Sequence, residues 1–212
     1  MHDCKQPSFG SFPGEDFQTF ERDLPGENTG GGYSADAVIT NSLPLESSDI
    51  IGKSWGYVTG DTVDRSTKEL IHLLIKSAGL GANFLLNIGP TPEGEVRPAQ
   101  KERLLEMGDW LKTYGETIYE TRKSFMSPAN WGVAVEKGDK VYLHITNPAG
   151  VKNKIELKNF PYKLVDANWF ETGETMKFEI YKKHEQVTLH LPTLKTEAID
   201  QVIVLRVKKQ GL

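Results

Sequence analysis

The chain has 212 residues, of which 38% are hydrophobic and 25% charged, and this composition is typical of a globular protein with one large domain or two small ones. A net charge of -4 excludes the basic field that holds a nucleic-acid backbone, and no apolar run approaches the roughly 20 residues that cross a bilayer. One cysteine excludes an internal disulfide, and the five scattered histidines match no metal motif, so we expect neither metal nor cofactor.

The first 60 residues are rich in Gly, Pro, Ser and Asp and contain two short apolar runs, at 37–39 and 55–58. Long loops in a compact domain are usually either functional or disordered. The aromatic residues spread through this region argue against disorder, so we expect loops that carry function.

Residues 66 to 115 predict a helix, a strand and a second helix. Ser66 and Glu69 form an S-x-x-E capping box in front of an apolar helix face, which glycines at 79 and 81 end. The run 83–88 is apolar on both faces, as in a buried parallel strand. Pro98 fits the first turn of the second helix. This order is typical of an α/β fold with a parallel sheet.

After Thr121 the helical pattern gives way to short alternating runs separated by turn residues, and this predicts an antiparallel β-sandwich. The seven predicted strands are 131–135, 141–146, 154–157, 164–170, 177–180, 187–191 and 202–207. We place the domain boundary near 122 to 127, which divides the chain into domains 1–122 and 123–212.

Four stretches carry a family resemblance in their wording, order and spacing: GEDFQTFERDLPG (14–26), LPLE with SWGY (43–57), GANFLLNIGPTPEGEV (81–96) and ERLLEMGDWLKTYGETIYET (102–121). Together they resemble the α-L-fucosidases of glycoside hydrolase family 29. The resemblance implies that residues 1–122 are the C-terminal part of a catalytic (β/α)8-like TIM barrel, α/β in class, and that residues 123–212 are an all-β, antiparallel sandwich.

The resemblance also implies a reaction, the retaining, exo-acting hydrolysis of terminal α-L-fucose from a fucosylated glycan. Retention uses two carboxyl groups, a nucleophile and a general acid/base. The family's nucleophile is an Asp in a W-x-D-G segment, and the 212 residues contain none. We therefore expect a missing N-terminal barrel segment, predict that the chain alone is inactive, and expect a periplasmic or secreted protein whose signal peptide lies on that segment.

Glu21 is the residue onto which the resemblance places the general acid/base. It lies in a Gly/Pro-bounded loop after an expected strand end, where barrel active sites are built. The aromatic residues at 17 and 20 could give its carboxyl an apolar surrounding. The competing carboxyls are Glu15, Asp16 and Glu46, and the structural alternative is a surface glutamate in an ERD charge cluster.

Two further residues are candidates for substrate binding. Trp55 matches an aromatic that lines the sugar pocket in the family, and its alternative role is a core tryptophan between strand and helix. Tyr57 is expected to lie in the core. His2 could be the remnant of a strand end whose polar side chains hold fucose hydroxyls. Asn87 is expected to cap the loop after its strand.

Two other functions remain open. The sandwich, with Trp131 and Trp169, could be a glycan-binding module, although inward-facing tryptophans are commoner in sandwiches. The chain could also be an inert structural fragment. The family motifs lie within 14–121, outside the sandwich, and this favours the enzyme.

Overall fold

The computed structural model describes residues 2–3, 16–26, 43–62 and 64–209, and the chain divides into two units, Met1–Gly115 and Glu116–Leu212. The second unit begins before the boundary expected near 122. Lys140 donates to Glu116 Oε1 at 2.6 Å, and the Tyr142 hydroxyl donates to the same oxygen at 2.5 Å. These bonds join the segment after the last helix to the sandwich.

A parallel sheet forms the centre of the first unit. Its four strands lie in the order β1-β2-β3-β4, with every neighbouring pair parallel. The strands are β1 (His2–Asp3), β2 (Gln18–Glu21), β3 (Leu45–Ile50) and β4 (Ala82–Asn87). β4 is the strand predicted from the apolar run 83–88. The run 55–58 lies in the loop after β3, and the run 37–39 lies outside the described residues.

Two helices accompany the sheet, α1 (Thr67–Gly79) and α2 (Pro98–Tyr114), both close to the predicted positions. The predicted capping box is confirmed, because Ser66 Oγ accepts from the Glu69 amide and Glu69 Oε2 accepts from the Ser66 amide. Leu70, Ile71 and Ile75 form the buried face of α1. Neither helix has the length and apolar character needed to span a membrane, as judged over the described residues.

The second unit is an antiparallel sandwich of two sheets. A five-stranded sheet has the order β5-β6-β7-β12-β9, and a three-stranded sheet has the order β10-β11-β8. The strands are β5 (Arg122–Lys123), β6 (Gly132–Lys137), β7 (Lys140–Ile145), β8 (Lys154–Leu157), β9 (Lys163–Trp169), β10 (Phe178–Tyr181), β11 (Gln186–His190) and β12 (Val202–Lys208). All seven predicted strands occur, and the short, exposed β5 is the addition.

One apolar core is shared by the two sheets of the sandwich. Leu143 and Ile203 of the larger sheet and Ile155 and Leu189 of the smaller sheet belong to it. Trp131 is buried in the same core, and Trp169 packs against it from a partly buried position. Trp131 therefore has the inward position expected of a sandwich tryptophan, and Trp169 is partly inward.

Candidate active site

The carboxyl ends of the parallel strands lie at one edge of the sheet, the edge at which parallel α/β proteins bind ligands. Glu21 is the last residue of β2, and Asn87 is the last residue of β4. Between them, β3 ends at Ile50 and continues into the loop that contains Trp55. Residues from three separate motifs of the sequence are thus brought to one edge.

One face of the sheet carries Glu21 together with Ser48, Glu46 and Leu85. Aligned residues on neighbouring parallel strands project to the same side, and Glu21 aligns with Ser48, which aligns with Leu85. Glu46 lies two residues before Ser48 and shares this face. Phe20, only 2% exposed, projects to the opposite face. The expected apolar contact between Phe20 and the Glu21 carboxyl is therefore wrong.

Glu21 is half-buried, and a tight turn follows it. Arg22 has a φ of 55°, in the left-handed region, and its amide donates to the Ser48 carbonyl at 2.7 Å. This bond ends β2 and holds the Glu21 backbone against β3. A half-buried carboxyl at this position has access to a ligand at the carboxyl edge while its backbone stays fixed.

The competing carboxyls lie elsewhere. Asp16 is exposed and precedes β2, near the amino edge of the sheet. Glu46 is the second residue of β3, also towards the amino edge. Glu15 lies outside the described residues. Of the described candidates, the one at the carboxyl edge is Glu21, so its position supports the assignment without testing it.

The loop that contains Trp55 is held by β4. Asn87 Nδ2 donates to the Trp55 carbonyl oxygen at 2.6 Å, so Asn87 has a structural role, but the loop that it holds is the one after β3 and not the one after its own strand. Trp55 and Tyr57 are 36% and 40% exposed, so the core position expected for Tyr57 is wrong. The backbone of the loop is fixed at this point, whereas its aromatic rings remain available to a ligand.

His2 is described through its backbone alone. It lies in β1 and aligns with Gln18, the first residue of β2. Glu21 lies three residues further along the sheet, which corresponds to about 10 Å at the rise of a β-strand. The backbone of His2 is thus level with the start of β2 and not with the carboxyl edge, and its substrate-binding role stays a prediction.

Three polar side chains near this edge were not anticipated from sequence. Arg97 Nη2 donates to Asp64 Oδ1 at 2.7 Å, and Gln100 Nε2 donates to the same oxygen at 3.3 Å. They sit at the start of α2 and at the end of the loop that contains Trp55. Within the described ranges, no group of three His, Cys, Asp or Glu side chains is placed to hold a metal ion.

Comparison with known proteins points to one family. A family profile described as alpha-L-fucosidase matches residues 2–116. Tissue alpha-L-fucosidase of Mus musculus is 40% identical over 100 residues, which cover 46% of this chain and 21% of the mouse protein. The chain thus spans about a fifth of the length of this relative.

Solved structures agree with the sequence match. Alpha-L-fucosidase isoenzyme 1 from Paenibacillus thiaminolyticus has a TM-score of 0.73 at 25% identity, over 92% of this chain and 45% of that one. The Thermotoga maritima alpha-fucosidase in complex with fucose has a TM-score of 0.68 at 27% identity, over 92% of this chain and 43% of that one. Both units of the chain therefore have counterparts in these enzymes.

Proposed function

This chain belongs to the α-L-fucosidase family, and on that premise we propose that it contributes the general acid/base and one wall of the fucose pocket to a retaining exo-α-L-fucosidase. In this proposal the four-stranded parallel sheet is part of a (β/α)8-like catalytic barrel. The substrate is the terminal α-L-fucose of a glycan. The observation that carries the proposal is the position of Glu21, which lies at the carboxyl edge of the sheet together with the loop that contains Trp55.

Glu21 is assigned two proton transfers. In the first step the nucleophilic carboxylate attacks the anomeric carbon, and Glu21 donates its proton to the glycosidic oxygen as the bond to the leaving group breaks. In the second step Glu21 takes a proton from water, which attacks the anomeric carbon and releases the nucleophile. Both transfers need a carboxyl that can reach solvent and substrate, as a half-buried residue at the edge can.

The nucleophile in this scheme is an Asp outside the 212 residues, because no W-x-D-G segment occurs among them. A retaining site needs its two carboxyl groups roughly 5–5.5 Å apart. The chain is therefore proposed to act only together with a segment that places such a carboxylate beside Glu21.

Trp55 is proposed to pack against the sugar. Fucose is a 6-deoxy sugar, so its C6 methyl group and the apolar face of its ring favour an aromatic surface. The side chain is 36% exposed on a loop fixed by Asn87, which suits a pocket wall. The tryptophans of the sandwich pack into its core, so a glycan-binding role for the sandwich has less support.

The decisive experiment uses the 212-residue chain and a longer, active protein that contains it with a nucleophile-bearing segment. We expect no turnover of 4-nitrophenyl α-L-fucoside by the chain alone. In the active protein, Glu21→Ala should slow a natural fucosyl glycan by about 10²–10⁴-fold, the usual contribution of general acid catalysis. The rate of the first step with the nitrophenyl fucoside should fall much less, because its leaving group departs without a proton.

Glu46→Ala is the matched control, since Glu46 shares the face of Glu21 but lies towards the amino edge. It should leave the ratio of the two rates near that of the unsubstituted protein. Equal losses on both substrates for Glu21→Ala, or a larger selective loss for Glu46→Ala, would remove the acid/base assignment.

A further inference from the structure

We propose that Asp64, Arg97 and Gln100 form a positioning network that fixes the position of Trp55 at the site. The inference rests on the pocket role proposed for Trp55. None of the three residues needs to touch the sugar, because they act through the backbone on either side of the tryptophan.

The network is largely buried and closely bonded. Arg97 donates through Nη2 to Asp64 Oδ1 at 2.7 Å and through Nη1 to the Asp61 carbonyl at 2.6 Å. The side chains of Arg97 and Asp64 are 16% and 8% exposed, and Gln100 is 2% exposed. Because the guanidinium is planar and bonds two fixed acceptors, it sets both the distance and the orientation of those acceptors relative to Arg97. The start of α2 is therefore tied to the end of the loop that contains Trp55.

The same network reaches the tryptophan from the other side through Gly89. Gln100 Oε1 accepts from the Gly89 amide at 3.3 Å. Gly89 in turn touches the backbone of Gly56, because a Cβ placed on Gly89 would lie 2.8 Å from the Gly56 oxygen and 3.1 Å from the Tyr57 nitrogen. Gly56 directly follows Trp55, so the position of Gly89 limits where the tryptophan backbone can lie.

The start of the loop that contains Trp55 contacts the same three side chains. A Cβ on Gly52 would lie 3.1 Å from Gln100 Nε2, 3.2 Å from Arg97 Nη2 and 3.3 Å from Asp64 Oδ1. The network thus contacts the loop at its beginning, at its end and, through Gly89, next to Trp55. Buried ion pairs contribute little net stability compared with apolar packing. We infer that this one is built to fix a position.

The test follows the four tryptophan indole N–H signals of the ¹⁵N-labelled chain, assigned by single Trp→Phe substitutions. Arg97→Lys keeps the positive charge but removes the paired donors of the guanidinium. Gly89→Ala places a Cβ atom against the Gly56 backbone. Each should shift the Trp55 signal and speed hydrogen exchange of the Gly56 and Tyr57 amides. Because Trp110 is buried on α2, its unchanged signal reports that the first unit is still folded.

Two controls make the same chemical changes at positions of α2 outside the network. Arg103→Lys alters a partly exposed arginine that pairs with Glu106 on α2, and Gly108→Ala adds a methyl group where nothing lies within 4 Å. Neither should move the Trp55 signal. If the Trp110 signal is lost in Arg97→Lys or Gly89→Ala, that variant is unfolded and Asp64→Asn is used in its place. Asparagine keeps the shape of the aspartate side chain and removes its charge.

An unmoved Trp55 signal in folded Arg97→Lys, Gly89→Ala and Asp64→Asn proteins overturns the inference. A titration of the longer, active protein with L-fucose, and with L-galactose as the ligand that carries a hydroxyl at C6, tests the proposed function separately. If fucose leaves the Trp55 signal of that protein in place, the pocket role loses its support. The ligand-free spectra still decide whether the network positions the residue.

Discussion

Gly132, at the start of β6, is a residue whose identity is dictated by a backbone contact. A Cβ at this position would lie 1.8 Å from the His144 carbonyl oxygen and 3.0 Å from its carbon, and the φ of Gly132 is 154°. Because the obstacle is the backbone of the paired strand β7, no side-chain movement can relieve it. Only a glycine lets these two strands approach as they do.

We therefore predict that Gly132→Ala destabilises the sandwich by about 3 kcal/mol, the upper end of the usual range for a point substitution. Gly138→Ala is the control, because Gly138 has a φ of 61° but a Cβ there meets nothing within 4 Å. That substitution should cost only the conformational penalty of about 1–2 kcal/mol. Urea unfolding followed by the indole N–H signal of Trp131 measures both, and equal losses would contradict the contact argument.

His144 shows a second residue-scale feature that the sequence did not reveal. Its Nδ1 lies 2.6 Å from Asp200 Oδ2, and its Nε2 lies 3.3 Å from the Thr117 carbonyl. Both side chains of the pair are fully buried. The partners lie 56 positions apart in the chain, so no local spacing signals the pair.

At the scale of elements, α1 begins directly after its N-cap residue, Ser66. The Ser66 side chain accepts from the Glu69 amide, and the returning bonds from Ser66 to the Glu69 carboxylate hold the pKa of Glu69 below its usual value. A carboxyl with a lowered pKa in the folded protein stabilises it above the usual carboxyl range. That contribution is lost as the pH falls through the lowered pKa.

Removing this cap should weaken the first unit. We predict that Ser66→Ala costs about 1 kcal/mol at neutral pH and returns the pKa of Glu69 towards its usual value. Ser66→Asp should retain most of the stability, because aspartate is an equally good N-cap. Thermal unfolding and an NMR titration of the Glu69 carboxyl provide the measurements. A loss in Ser66→Asp as large as that in Ser66→Ala would show that the cap is not the cause.

At the scale of the whole molecule, the first unit ends at residue 115, and the segment 116–122 belongs to the sandwich. Glu116 is bonded to Lys140 and Tyr142, and the Thr117 carbonyl faces the buried His144. These contacts satisfy polar groups that would otherwise lose their partners. The segment is therefore part of the folding unit and not a linker.

We predict that a fragment of residues 116–212 folds cooperatively and that a fragment of residues 123–212 is less stable by about 1–3 kcal/mol, the cost of leaving buried polar groups unpaired. Glu120→Ala in the longer fragment is the control, since the ion pair between Glu120 and Lys137 is exposed on the Glu120 side. It should change stability by no more than about 0.5 kcal/mol. Equal midpoints for the two fragments in urea would place the boundary back near 122.

The sequence by itself determined the elements whose signals are local. The capping box, the apolar run of β4 and the alternating strands of the sandwich carry their own periodicity, and all of them occur. β3 was not recognised, and β2 was expected only as a strand end before Glu21, which is itself the last residue of the strand. QTFE and LESSDI are largely polar, and their pairing depends on neighbouring strands that lie far away in sequence. The motifs also indicated Glu21 and Trp55, because chemistry restricts which residue types can serve at those positions.

Only the tertiary structure decided which of these residues share an edge and what fixes them there. The face to which Phe20 projects follows from strand register, and the exposure of Tyr57 follows from the path of its loop. The bond from Asn87 to the Trp55 carbonyl forms because the end of β4 lies beside the loop after β3. Asp64, Arg97 and Gln100 carry no motif, yet they meet around one oxygen atom. Periodicity reports burial along one element, whereas such contacts depend on how separate elements are placed in space.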